Sequence, residues 1–126
     1  MLLENRDEKD YEDILAQIVK KLESQGYENI KADIPGYEKP PQLKRQGTDD
    51  AFWPDATAVR NGRKSYFEIA KRTKEEIRLV GKWKLLATLA QIKDGELQIF
   101  IPRGELSFTR RIINKYGLNA ELIKLF

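Results

Sequence analysis

From Asp7 to Gln25 the apolar residues Tyr11, Ile14, Leu15, Ile18, Val19 and Leu22 recur every three or four positions. That period predicts an amphipathic helix, with Asp7 as its cap and Gly26 as its left-handed stop. The pattern then changes to alternation. Tyr27 to Ile34 (YENIKADI) reads as a half-exposed strand closed by Pro35-Gly36. Residues 35–53, with three prolines and two glycines, read as a long loop or edge segment. Alternation returns in Asp55–Arg60 and Lys64–Ala70, two strands joined at Asn61-Gly62, a tight-hairpin pair. In the second strand Tyr66, Glu68 and Ala70 share one face, and Phe67 and Ile69 share the other.

Thr73 and Glu76 have capping-box spacing and predict a second helix running to about Ile92, with Gly81 as a point of bending or interruption. Its second half is apolar almost all round. The polar exceptions are Lys82, Lys84, Thr88 and Gln91, of which the last three form one stripe. Leu97–Ile101 predicts a buried strand after an Asp94-Gly95 turn. Leu106–Tyr116 predicts a third helix stopped by Gly117, and Ala120–Leu125 a short last strand. Such a string predicts helices packed on both sides of a mixed sheet.

At 126 residues and 40% apolar content, the chain has the size of one domain with its own core. It contains neither cysteine nor histidine. Disulfides, thiolate metal sites and the commonest general base are thereby excluded, and any catalytic metal must sit on oxygen ligands. That favours Mg²⁺ or Mn²⁺ over Zn²⁺. No apolar run has the length of a membrane span and no signal-peptide pattern opens the chain, so a cytoplasmic protein is expected. Residues 1–34 carry a balance of −4 and residues 35–126 a balance of +7. A basic surface over the later elements would attract a polyanion; a well-solvated Lys/Arg surface is the plainer reading.

Candidate chemistry lies in the central hairpin. Pro54-Asp55 opens its first strand and Glu68 stands on the second. Two carboxylates so placed make either a cation site or ordinary hairpin polarity. With these residues in this order of elements, the chain resembles the PD-(D/E)xK nuclease superfamily, whose signature is a Pro-Asp followed on the next strand by (Asp/Glu)-x-Lys. The likeness covers about residues 7–102. It implies a restriction-endonuclease-like α/β fold: an αβββαβ core with a mixed central sheet flanked by helices. A C-terminal helix and short strand are added, in a single domain over residues 1–126.

The resemblance implies metal-dependent hydrolysis of phosphodiester bonds in nucleic acid, with DNA favoured. Asp55, Glu68 and the Ile69 carbonyl would hold Mg²⁺ or Mn²⁺. The superfamily lysine would stand at position 70, which is Ala70; the sequence reads E-I-A-K, so Lys71 falls on the opposite strand face. A bulge, or the strand's end at Ala70, could return Lys71 to the site. Alternatively, a group on the following helix could replace it, Lys84 or Gln91 on the Lys84-Thr88-Gln91 stripe being the candidates. A third reading is a catalytically inactive module that binds nucleic acid or protein and keeps the fold. Glu12 matches an accessory acid of some members, though an exposed helical Glu is commoner. Arg60, Arg63, Lys64, Arg72 and Lys74, with Lys71, would neutralise phosphates without reading sequence. Phe52 and Trp53 are expected to pack the loop against the core rather than stack on bases. Many small members act as dimers, so a homodimer is among the implied assemblies.

Overall fold

A computed structural model describes residues 2–126, with side chains from Lys9 onward. In chain order the elements are α1 (Leu2–Ser24), β1 (Glu28–Ala32), β2 (Leu43–Lys44), β3 (Ala51–Phe52), β4 (Ala56–Arg60) and β5 (Arg63–Ile69). There follow α2 (Glu76–Ile92), β6 (Asp94–Ile101), α3 (Leu106–Tyr116) and β7 (Glu121–Lys124). Five strands form one sheet in the order β1-β4-β5-β6-β7. The β1–β4 and β4–β5 pairs are antiparallel, while β5–β6 and β6–β7 are parallel, each parallel step crossing over through a helix. The protein is therefore a mixed α/β structure.

The period-two pattern decides which helix covers which face. Phe67 of β5 and Phe100 of β6 point to one side, where Leu15, Ile18, Val19 and Leu22 of α1 bury them together with Ala56 and Ala58. Tyr66, Leu97, Ile99 and Ile101 point to the other, beneath Trp83, Leu86 and Ala90 of α2 and Ile112 of α3. Glu68 belongs to this second face by register. At Asn61-Gly62 both residues have positive φ (54° and 74°), so a two-residue turn leaves Arg60 paired directly with Arg63.

Several expectations are corrected. α1 begins at Leu2, so Asp7 lies inside the helix and not at its cap; its side chain is outside the described residues. The segment 35–53 is not all loop, because β2 and β3 pair within it as a small separate sheet. α2 runs unbroken through Gly81, which is buried beneath the Arg45 side chain; a Cβ there would lie 2.8 Å from Arg45 Nη1. Asp94 and Gly95 start β6 rather than forming a turn ahead of it.

The capping box does not form either. Thr73 accepts the Glu75 N–H (3.1 Å) ahead of the helix, and Glu76 is engaged elsewhere. Its carboxylate accepts from Tyr116 (2.8 Å), Arg111 (3.0 Å) and Lys115 (3.3 Å), clasping α3 to the start of α2. The Tyr116 hydroxyl and then the Arg111 guanidinium hold the Glu76 carboxyl down at about 2, from the usual 4.5. A lowered carboxyl stabilises the fold above pH 4.5 and ceases to do so as pH falls towards 2. Glu76→Gln should therefore lose stability at neutral pH and show a flatter acid limb between those values. Thermal midpoints measured across that range check it, and parallel curves for the two proteins would contradict the clasp.

Candidate functional site

Asp55 sits one residue before β4, where the strand enters the sheet, and the ring of buried Pro54 fixes the approach. This position lets its side chain reach both layers. Oδ1 accepts the Tyr11 hydroxyl of α1 at 2.6 Å, and Oδ2 accepts the Ile69 N–H of β5 at 2.7 Å. The Asp55 N–H in turn donates to Glu68 Oε2 at 2.9 Å. Glu68, facing α2, receives the Trp83 indole N–H on Oε1 at 3.2 Å and has Lys82 Nζ 3.0 Å from the same oxygen. Asp55, Glu68 and Lys82 are thus joined in one network at the ends of β4 and β5.

Glu68 is 2% exposed. Burial first, and the charge of Asp55 second, push its carboxyl up to about 8, while Lys82 and the Asp55 N–H pull the other way. The three polar partners of Glu68 are all donors: the Asp55 N–H, the Trp83 indole N–H and the Lys82 ammonium. Burial and the neighbouring Asp55 also raise the Tyr11 hydroxyl, so the phenol stays protonated and donates to Asp55.

These groups line a cleft of about 710 Å³ bounded by Tyr11 and Ile14 of α1, Phe52 and Trp53, the segment after β5, and Arg78, Leu79 and Lys82 of α2. Four Lys/Arg side chains and five carboxylates line it. With every acid ionised the lining carries one negative charge in excess; with the Glu68 carboxyl, raised to about 8, protonated at neutral pH, the two signs balance. Among the described residues, no three Asp, Glu, His or Cys side chains gather as a metal site; the acids converge only as a pair. A pair is enough for Mg²⁺ or Mn²⁺, which fill their remaining positions with water and substrate phosphate. The oxygens that could serve such an ion are Asp55 Oδ1 and Oδ2 and Glu68 Oε2, each of which already accepts a protein donor. Oε1 of Glu68 is already taken by Trp83 and Lys82.

The other sequence candidates divide. Lys71 and Arg72 line the cleft, and Arg72 is tied to Glu105 through its N–H (2.8 Å) and guanidinium (3.5 Å). β5 ends at Ile69, so Lys71 follows the strand and lines the cleft, while Ala70 is sealed in the core with Val80 and Trp83. Lys84, Thr88 and Gln91 are exposed on α2 away from the cleft, so that stripe is the helix's wet edge. Glu12 is exposed and outside it too; its neighbour Tyr11 makes the contact from α1. Arg60, Arg63 and Lys64 belong to the hairpin's turn end, roughly 17 Å along the strands from Asp55. Arg60 lies over the Tyr27 ring (4.3 Å) and Lys64 over Tyr66 (5.6 Å). Lys74 borders a separate hollow beside Arg45 and Asp50.

Two contributors escaped the sequence reading, Tyr11 and Lys82. Glu75, Arg78, Leu79 and Lys82 follow i, i+3, i+4, i+7 spacing and all line the cleft, so a second helix stripe was present beside the one chosen. Tyr11 was counted only as an apolar position of α1. The expectation for Phe52 and Trp53 holds for Phe52, buried at 4% under the Arg78 guanidinium, and fails for Trp53, which is 45% exposed. No helix among the described residues is long and apolar enough to cross a membrane. No family model, curated protein or solved structure matches this chain.

Proposed function

We propose that this chain is a metal-dependent nuclease of the PD-(D/E)xK type, hydrolysing phosphodiester bonds in nucleic acid, with Lys82 in the role of the strand lysine. The observation that carries this reading is the joined Asp55–Glu68–Lys82 network at the inner wall of an open cleft. The element order supports it, since a helix, three antiparallel strands, a crossover helix and a parallel strand resemble the superfamily core. Asp55 and Glu68 would hold Mg²⁺ or Mn²⁺, with the Ile69 carbonyl beside them. When bound, such an ion lowers the pKa of water and offsets charge on a phosphate.

The remaining work falls to this chain's own groups. Tyr11 and the Ile69 N–H fix both Asp55 oxygens, so the ligand is oriented before an ion arrives. Lys82 places a positive charge beside Glu68, where it can offset charge developing on a phosphate. Lys71 and Arg72 at the rim suit the flanking phosphates. Titration of Mn²⁺ into the wild type and into Asp55→Ala/Glu68→Ala, followed calorimetrically, is the direct test. Saturable binding is expected only in the wild type, and cleavage of DNA only where Mn²⁺ binds. Equal, negligible heats in both proteins would remove the chemistry.

One observation favours a second reading, a nucleic-acid-binding module without hydrolysis. Glu68 is nearly sealed and both of its oxygens are engaged by protein donors. Salt-sensitive binding with no cleavage of single-stranded, duplex or branched DNA in any divalent metal would support that module.

A further inference from the structure

Among the described residues, four large apolar side chains are notably exposed: Trp53, Ile77, Ile92 and Phe126. Scattered exposed apolar groups need no explanation. Among them, however, Trp53 alone lines the cleft. It lies two residues before Asp55, a reach of at most roughly 7 Å along the chain. Its ring has the Lys39 ammonium over it, 5.2 Å from the centroid. An indole at the cleft mouth, with a cation on its face and the carboxylate pair just inside, joins the features that bind an unpaired nucleotide. A base takes the indole face turned away from Lys39, and the ammonium takes a phosphate.

The depth of the site points the same way. Glu68 is 2% exposed, so a phosphate approaches the acids only from within the cleft that Trp53 also lines. In a duplex each base has neighbours on both faces, and freeing one for an aromatic side chain costs a few kcal/mol of unstacking and unpairing. A single strand meets no such cost.

We propose that Trp53 is a stacking platform and that the cleft takes single-stranded nucleic acid, the base next to the reacting phosphate lying on the indole. This deepens the function proposed above and rests on it for the cleavage step, but not for binding. The chain has two tryptophans, and the other, Trp83, is fully buried, so a stacked base should quench the exposed one selectively.

The test is titration of a ten-nucleotide oligodeoxynucleotide, its ribonucleotide counterpart and a matched hairpin duplex in Ca²⁺, reading tryptophan fluorescence and anisotropy. Cleavage is measured separately in Mn²⁺. The single strands should bind with quenching and the hairpin at least about tenfold more weakly; the two sugars identify the source. Trp53→Ala should weaken single-strand binding by roughly 5- to 150-fold, while Trp53→Phe keeps most of it. Equal binding of single strand and duplex, with Trp53→Ala unchanged, overturns the platform; if cleavage persists, the nuclease reading survives. Quenching and loss in Trp53→Ala with no cleavage sustain the platform and remove the hydrolysis. Absence of binding by every probe overturns both.

Discussion

Lys82→Met should lower metal-dependent cleavage by about 10²- to 10³-fold, whereas Lys84→Met should leave it within about a factor of two. Both lysines stand on α2, two residues apart, and a helix turns such residues to nearly opposite sides. Lys82 Nζ is 3.0 Å from Glu68 Oε1; Lys84 is exposed outside the cleft. A charge beside the acids acts where negative charge builds on the phosphate, so the fall should appear in kcat with KM nearly constant. That division separates an assisting cation from a lysine that merely neutralises a buried acid, whose loss would act through folding or metal affinity. Steady-state kinetics on a labelled oligonucleotide, with Mn²⁺ affinity measured on the same samples, give the answer. Should Lys82→Met cleave like the wild type while Lys84→Met fails, the assignment made from this geometry is wrong.

The fold was largely legible because its signals were periodic and local. α3 has the bounds that its Leu106 and Gly117 signals predict, and Gly117 takes the left-handed conformation (φ 60°) expected of a stop. The alternation in β5 correctly put Tyr66 and Ala70 on one face and Phe67 on the other; only packing shows that the first faces α2 and the second α1. Where reading failed, a distant partner decided. Glu76 did not serve a capping box because Arg111, Lys115 and Tyr116, more than thirty residues away, hold its carboxylate. Gly81 does not break α2; it leaves room for the Arg45 side chain, a contact that no local pattern encodes.

The site was legible by halves. Asp55 and Glu68 were recoverable from strand order and the Asn61-Gly62 turn, which fix the two acids at the same end of one hairpin. The groups that complete them come from both helical layers, and their identity depends on how each helix is rotated about its axis. A change of one hundred degrees per residue separates Tyr11 from Glu12, and sequence spacing alone does not set the zero of that rotation. The basic residues were misplaced for a different reason. Arg60, Arg63 and Lys64 are near Glu68 in sequence, but a strand carries them away at about 3.4 Å per residue. The net charge of the later elements therefore describes the surface as a whole, while the cleft itself has no excess of basic groups.

Trp83→Ala should cost about 3–5 kcal/mol of stability, among the largest losses available in this protein, because the side chain is fully buried between α2 and the sheet. Trp83→Phe is the more informative change. It keeps most of the packing and removes the indole N–H from Glu68 Oε1, at a cost of about 1–3 kcal/mol for a donor lost from a buried carboxylate. Lys82 meets that same oxygen, so the two side chains are not independent supports. Either loss alone makes ionised Glu68 harder to hold in the core. Above pH 8, where Glu68 is ionised with both donors in place, loss of one donor favours its protonation and removing the second then costs less, so the comparison is made there. The cycle of Trp83→Phe, Lys82→Met and the double mutant, measured by urea denaturation without divalent metal, should be non-additive by about 0.5–3 kcal/mol, the double mutant being the less damaged than the sum. Additive losses would mean that Trp83 and Lys82 act on separate parts of the molecule, and that the network joining core to cleft through Glu68 does not operate in solution.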